Sequence, residues 1–281
     1  MIKKQTMCMG VELEFVDAEF GKVAQKLLKK INHIGYPLYV DDDDTVASLK
    51  HKNPSKRDKY WSLVEDGSVQ DYDHESCVWT GGEVVSPILP VTPESFRQIQ
   101  HVIRAMNAAG AVYNVKTGIH VHIDLKGVDR LVLLGIWSLM SDNIYDLFGE
   151  RARNQYAQEL YKITHATKNH DARNALALIL LSNGVEDLYA EKYSTLHLYD
   201  KEDDLDCPIG EFRVGQMSSD IYLMTAWIKS CCQVVAEASK YRDVLDFLQA
   251  EESYTLRQLN CRAPSALRWS RKETDEIRAY V

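Results

Sequence analysis

Several short segments of the chain alternate apolar and polar residues, a pattern typical of strands with one buried face. In the first of them, Val11, Leu13 and Phe15 alternate with glycine and acidic residues. Strands are predicted at Met7–Phe15, Trp61–Glu65, Val78–Ile88, Ile119–Leu125 and Ile209–Val214.

Between these segments, apolar residues recur at helical spacing. Helices are predicted at Phe20–Ile34, from Thr92-Pro93 to Gly110, across 128–184 and, as one helix or a helix pair, across 219–248. Thr92 and Pro93 are a favourable N-cap and first helical residue, and Gly35 and Gly110 are typical helix ends. The pattern predicts an α+β fold in one domain over 1–281, with a mostly antiparallel sheet and helices packed on one side.

Composition excludes several classes of function. With a net charge of -8, the chain lacks the excess of basic residues that is typical of a nucleic-acid-binding protein. The longest apolar stretch, Leu131–Met140, is too short to cross a bilayer, and residues 1–10 lack the apolar core of a signal peptide. The six cysteines form no Cys-x-x-Cys pair, so we expect free thiols. We therefore expect a cytoplasmic protein that binds neither nucleic acid nor membranes.

Ionisable side chains share one face of four predicted strands. They are Glu12 and Glu14, Glu83, His120 and His122, and Glu211 and Arg213. Within each pair the intervening residue is apolar, so the two polar side chains point the same way, about 6.5–7 Å apart. Four carboxylates on a dry face would repel one another, and divalent cations such as Mg²⁺ or Mn²⁺ would offset this repulsion. The guanidinium of Arg213 is suited to phosphate.

The residues alone leave three interpretations open. The polar face could simply meet solvent, as in many antiparallel sheets. A protein that binds nucleotide or metal without catalysis is a second possibility, although it would have no reason to retain every one of these groups. The His120-x-His122 pair would also fit a metal-dependent hydrolase, although zinc sites are usually richer in histidine. No G-x-x-x-x-G-K-[ST] sequence is present, so a P-loop is excluded.

Five short motifs occur in an order that resembles the amidoligase family, which groups with glutamine synthetase and glutamate–cysteine ligase. They are GVELEF (10–15), WSLVEDGSV (61–69), GGEVVSPIL (81–89), GIHVHID (118–124) and GEFR (210–213). The resemblance covers about residues 7–235 and leaves a helical extension at 236–281. It implies a glutamine synthetase-like curved antiparallel sheet, with ATP and substrate entering at opposite ends.

The resemblance also implies roles for individual residues. The metal ligands would be Glu12, Glu14, Glu83, His120 and Glu211. Arg213 would steady the γ-phosphoryl group, and His122 would contact phosphate or substrate. Asp66, in the D-G-S segment, would contact the substrate amine or only form a turn. Arg151 and Arg153 lie where the family has an arginine near substrate, with Arg153 preferred, or they only begin a solvated helix. His197 stands where the family commonly has asparagine.

The reaction implied is ATP-dependent amide-bond formation with Mg²⁺ or Mn²⁺. A substrate carboxylate attacks the γ-phosphate of ATP to give an acyl phosphate, and an amine then displaces phosphate. The substrates would be small-molecule or peptide carboxylates and amines, whose identity the sequence does not indicate. It does not indicate the oligomeric state either.

Overall fold

Strands and helices follow one another along the whole of the described chain. The computed structural model describes residues 7–40, 59–73, 78–148, 151, 195–201, 204–250, 256–265 and 267–280. The strands are β1 (Cys8–Glu19), β2 (Leu38–Val40), β3 (Trp61–Val64), β4 (Asp71–Asp73), β5 (Val78–Val85), β6 (Leu89–Pro90), β7 (Gly118–Asp124), β8 (Leu196–Lys201) and β9 (Asp204–Gln216). The helices are α1 (Phe20–Leu28), α2 (Ile31–Ile34), α3 (Pro93–Ala109), α4 (Arg130–Leu147), α5 (Ile221–Ala238), α6 (Val244–Gln249), α7 (Leu256–Arg262) and α8 (Arg271–Tyr280).

The chain divides into two compact units. The first unit contains Met1–His120 and Gly215–Thr225, and the second contains Val121–Val214 and Ala226–Val281. Strand β7 begins in the first unit and ends in the second. The prediction of a single catalytic domain over 1–281 stays a prediction.

In the first unit the strands follow the order β2-β3-β5-β1-β7. β5 pairs antiparallel with β1, β3 and β4, whereas β2 and β3 are parallel. Leu13 and Val84, on the apolar face, are fully buried. Helix α3 begins at the Thr92 N-cap, whose hydroxyl accepts a hydrogen bond from the Ser95 N–H, and it ends at Gly110, where φ is +90°. Both ends of this helix confirm the sequence prediction.

In the second unit the strands follow the order β7-β9-β8, and β8 pairs antiparallel with β9. Aromatic rings join the helices to β9. Trp137 of α4 packs edge-on against Phe212 with ring centroids 5.1 Å apart, and Trp227 of α5 packs edge-on against Trp137 at 6.4 Å. Such edge-to-face pairs add packing energy beyond the burial of apolar area.

An open multi-stranded sheet with helices confirms a mixed α/β architecture, while the glutamine synthetase-like curvature and the one-sided helix layer stay predictions. All five predicted strands are present, and β9 is longer than predicted. The helix predicted at Phe20–Ile34 is divided into α1 and α2. Helix α4 confirms part of the helical prediction at 128–184, and residues 149–150 and 152–184 lie outside the described residues.

Two further sequence predictions concern membranes and cysteines. No helix in the described part of the chain is both long and apolar enough to cross a membrane. Cys8, Cys231, Cys232 and Cys261 are free thiols, as predicted. Burial raises the pKa of Cys232 to about 12, so this thiol is protonated at neutral pH. The side chains of Cys77 and Cys207 lie outside the described residues.

Candidate functional site

Three carboxylates from three segments of the first unit lie close together, and we call them the carboxylate cluster: Glu14 of β1, Glu83 of β5 and Asp66 after β3. One oxygen atom of each lies within 4.8 Å of the others. Glu14 is only 3 % exposed, whereas Asp66 and Glu83 are half-buried.

The pairing of β1 with β5 explains why Glu14 and Glu83 meet. The two residues are direct partners across the antiparallel pair, and opposite side chains in such a pair lie on the same face. Ser86 fixes this register a few residues later, because its hydroxyl accepts a hydrogen bond from the Val11 N–H at 2.8 Å. Its own N–H donates to the Val11 carbonyl, also at 2.8 Å.

Asp66 reaches the cluster through a turn that lies against two glycines of β5. A Cβ at Gly81 would lie 2.3 Å from the Val69 carbonyl oxygen, and one at Gly82 would lie 2.9 Å from the Val64 carbonyl oxygen. Both glycines have positive φ, +82° and +146°. Only glycine allows the turn to come this close.

The pairing of β1 with β5 is irregular opposite Gly81 and Gly82. The register between β1 and β5 shifts between Phe15 and Glu19, where β1 has more residues than β5. Asp17, within this bulge, has a φ of +60°. The extra residues are therefore in β1, and the two glycines provide the space facing the bulge.

His120 lies between the two acids of β1. Its Nδ1 is 3.0 Å from Glu12 Oε2, and its Nε2 is 3.4 Å from Glu14 Oε1. The second oxygen of Glu14 accepts a hydrogen bond from the Gly118 N–H, at the start of the same strand as His120. Glu14 is thus held by a backbone donor and a ring nitrogen, while Asp66 and Glu83 come close from the other strands.

This geometry suits a divalent cation. Two carboxylate charges 4.8 Å apart repel each other by about 3 kcal/mol at an effective dielectric constant of about 20. A cation among the three oxygens would attract each carboxylate, and this attraction would outweigh the repulsion between them. Oxygen ligands are the type that Mg²⁺ and Mn²⁺ prefer, so the residues present fit either ion.

A second group of polar side chains surrounds Glu211 in the second unit. His197 is the direct strand partner of Glu211, and its Nδ1 lies 3.2 Å from Glu211 Oε2. Arg213, two residues further along the same face of β9, donates to Glu211 Oε1. Tyr199 and His122 complete what we call the Glu211 cluster, in which the Tyr199 hydroxyl lies 3.0 Å from His122 Nδ1.

Glu211 and Arg213 form a close ion pair. The pair is buried, since the two residues are only 5 % and 8 % exposed. A buried carboxylate and guanidinium need each other, because an unpaired charge in the interior is costly. The pairing also orients the guanidinium, a planar group whose fork of donors suits phosphate oxygens.

Comparison with known protein families assigns the chain to a family. Residues 5–183 match the family described as "Putative amidoligase enzyme". The chain belongs to this family. Membership of the amidoligase family indicates ligase activity, and it confirms the family resemblance of the sequence motifs. A comparison with curated proteins found no match.

The matched segment of this amidoligase-family protein contains the whole carboxylate cluster as well as Glu12, His120 and His122. Glu211 and Arg213 lie beyond residue 183, so their predicted roles depend on the GEFR motif and on the contacts described above. The structure brings Glu12, Glu14, Glu83 and His120 together, with Asp66 beside them. The prediction that Glu211 belongs to the same set of metal ligands stays a prediction.

Two members of the Glu211 cluster in this amidoligase-family protein were not assigned a role from the sequence. His197 and Tyr199 lie on β8, a strand that was not predicted. The alternation of buried Leu196 and Leu198 with the two ring side chains is the signal that would have revealed it. Arg151, near the predicted Arg153, is 1 % exposed, and Arg153 itself lies outside the described residues.

Proposed function

We propose that this protein is an ATP-dependent carboxylate–amine ligase that uses Mg²⁺ or Mn²⁺. The observation that carries the proposal is the carboxylate cluster, whose three oxygen atoms lie within 4.8 Å of one another in a chain of the amidoligase family. A carboxylate substrate and a triphosphate are both anions, so a ligase of this kind needs positive charge where they meet.

Glu14, Asp66 and Glu83 would hold a divalent cation, with Glu12 and His120 as further candidate ligands beside Glu14. Such a cation supplies positive charge that offsets the repulsion between phosphate oxygens and an attacking carboxylate. The contact of Asp66 with the substrate amine stays a prediction. A carboxylate beside other carboxylates would attract an ammonium group as well as a metal ion.

The Glu211 cluster would bind the transferred phosphoryl group. Arg213 stabilises the negative charge that develops on its oxygens, and Glu211 keeps the guanidinium oriented. In the first step the substrate carboxylate oxygen bonds to the γ-phosphorus while the bond to ADP breaks, which gives an acyl phosphate. In the second step the amine nitrogen bonds to the carbonyl carbon, phosphate leaves, and the amine loses a proton.

A test combines metal binding with turnover. Mn²⁺ binding is measured by electron paramagnetic resonance, and ADP release is measured with pooled amino acids as carboxylates and amines. We expect Glu83→Gln to weaken Mn²⁺ binding at least about 10-fold, because a ligand charge is lost, and to abolish the metal-dependent ADP release of the wild type. Glu94→Gln is the matched control, since Glu94 is an exposed glutamate on α3 whose described partner is Arg97.

Three results would contradict the proposal. Equal Mn²⁺ binding by Glu83→Gln and the control would remove the cluster as a metal site. Metal-dependent ATP binding without turnover on any substrate pool would favour a non-catalytic binding protein. Hydrolytic activity that needs Zn²⁺ and persists without nucleotide would favour a hydrolase.

A further inference from the structure

Tyr199 contacts two histidines of the Glu211 cluster through different parts of its side chain. Its hydroxyl lies 3.0 Å from His122 Nδ1. Its ring stacks on the ring of His197, with centroids 4.9 Å apart and an angle of 25° between the planes. The one tyrosine therefore influences the orientation of both histidines.

The hydroxyl contact bears on which nitrogen of His122 carries the proton. A neutral imidazole has one donor and one acceptor nitrogen. The phenolic O–H of tyrosine is a good donor, whereas its oxygen is a weak acceptor because its lone pair is shared with the ring. The contact is therefore most favourable when Tyr199 donates to Nδ1 and the proton of His122 is on Nε2.

The surroundings of Nε2 favour the same tautomer. Glu211 Oε1 lies 4.0 Å from His122 Nε2, too far for a hydrogen bond but close enough for the carboxylate charge to stabilise an N–H at that position. Arg213 donates to the same oxygen and offsets part of its charge, so the hydroxyl contact has the stronger influence on the tautomer. Both neighbours, Tyr199 at Nδ1 and Glu211 near Nε2, favour the proton on Nε2.

We infer that Tyr199 is a positioning residue that fixes His122 in its Nε2–H tautomer, so that His122 serves as a hydrogen-bond donor to an anionic oxygen and not as a metal ligand through Nε2. A nitrogen that carries a proton has no lone pair for a metal ion. The identification of that anion as a phosphoryl oxygen of the nucleotide rests on the proposed function.

The ring of Tyr199 has a separate role. His197 Nδ1 contacts Glu211 Oε2, and the stacked tyrosine limits the rotation of the His197 ring. Tyr199→Phe keeps this stacking and removes only the hydroxyl, whereas Tyr199→Leu removes both. The two variants therefore separate the tautomer effect from the support of His197.

Nitrogen NMR of the full chain labelled with ¹⁵N-histidine tests the tautomer directly. At about pH 8, where histidine is ordinarily neutral, we expect His122 to show a protonated Nε2 and an unprotonated Nδ1. In Tyr199→Phe we expect a mixture of tautomers. The His122 signals are assigned by their loss in His122→Gln. A wild-type His122 protonated on Nδ1, or an unchanged tautomer in Tyr199→Phe, would overturn the inference.

Ligand binding tests the consequence. We expect Tyr199→Phe to weaken binding of the non-hydrolysable analogue AMP-PNP about 3- to 10-fold, the effect of one lost hydrogen bond, and to leave Mn²⁺ affinity unchanged. Tyr113→Phe is the matched control, since its hydroxyl hydrogen-bonds Asn107 Oδ1 at 2.7 Å in the first unit. It should leave AMP-PNP binding unchanged.

The outcomes keep the two proposals distinct. If Tyr199→Phe lowers Mn²⁺ affinity as much as AMP-PNP affinity, His122 acts as a metal ligand and the inference is wrong. If the tautomer changes without any loss of AMP-PNP affinity in a wild type that binds it, the donor role is wrong. If the wild type binds no AMP-PNP, the proposed function fails, and the NMR result alone decides the role of Tyr199.

Discussion

The position of Asp66 depends on the absence of a side chain at Gly81. The 64–70 segment passes so close to β5 that a Cβ at Gly81 would lie 2.3 Å from the Val69 carbonyl oxygen, and the Phe15 carbonyl oxygen of β1 would be 3.2 Å away on another side. Because Asp66 is in this segment, the close approach helps to bring its carboxylate to Glu83.

Gly81→Ala is expected to destabilise the protein strongly. A left-handed backbone conformation costs an alanine of order 1 kcal/mol, and the clash with the Val69 oxygen should raise the loss to about 3 kcal/mol. Gly127→Ala is the matched control, since Gly127 has a φ of +76° but open space around it. Urea unfolding measures both variants. Equal losses would show that the 64–70 segment moves away freely, and the geometric argument for Asp66 would fail.

At this scale the sequence predicts which face a side chain occupies but not what the side chain meets. The period-two pattern placed Glu12 and Glu14 on the face opposite Leu13, and this is confirmed, because His120 contacts both acids and Leu13 is fully buried. The Gly118 N–H that binds Glu14 is 104 residues away. No local pattern can specify a partner so distant in sequence.

At the scale of elements, a buried ion pair joins two helices of the second unit. Lys229 of α5 lies 2.8 Å from Glu273 of α8, and the two side chains are 12 % and 2 % exposed. Glu273 also accepts a hydrogen bond from the Ser270 N–H, and its own N–H donates to Ser270 Oγ. This reciprocal arrangement is a capping box, so one carboxylate both starts α8 and attaches it to α5.

Lys229→Met should cost about 3 kcal/mol of unfolding free energy, because it leaves the Glu273 charge buried without this partner. Adding Glu273→Gln should recover a large part of the loss, since the amide oxygen can still accept from Ser270. Arg97→Met, at the exposed Arg97–Glu94 pair, is the control and should cost less than about 1 kcal/mol. Similar losses for Lys229→Met and Arg97→Met in urea unfolding would show that the buried pair does not hold α8.

Apart from β8, the elements that were missed or misjudged are those with weak local signals. Strands β2, β4 and β6 have two or three residues each, too few for a period-two pattern. The helix predicted at Phe20–Ile34 keeps helical spacing of apolar residues throughout, yet it is interrupted at Lys29 and Lys30. The Lys30 N–H bonds the Leu27 carbonyl, a tighter turn than the α-helix. Tertiary packing decides such a break, and sequence periodicity does not register it.

For the whole molecule, the sequence predicted the family and the mixed α/β architecture, because both depend on patterns spread along the chain. The family match ends at residue 183, while β8 and β9 follow later. The motifs do not predict which carboxylate and amine the protein would join. Their residues would bind metal and phosphate, and these groups take part in the reaction whichever substrates such a ligase uses.

The central claim is that the protein joins a carboxylate to an amine through an acyl phosphate. The most direct test uses pooled amino acids whose carboxylates carry ¹⁸O, with ATP, Mg²⁺ and an amine, and analyses the released phosphate by mass spectrometry. We predict one ¹⁸O atom in each phosphate released with amide product, because the carboxylate oxygen that attacks the γ-phosphorus leaves with the phosphate. Amide formation with phosphate that carries no ¹⁸O would contradict the account.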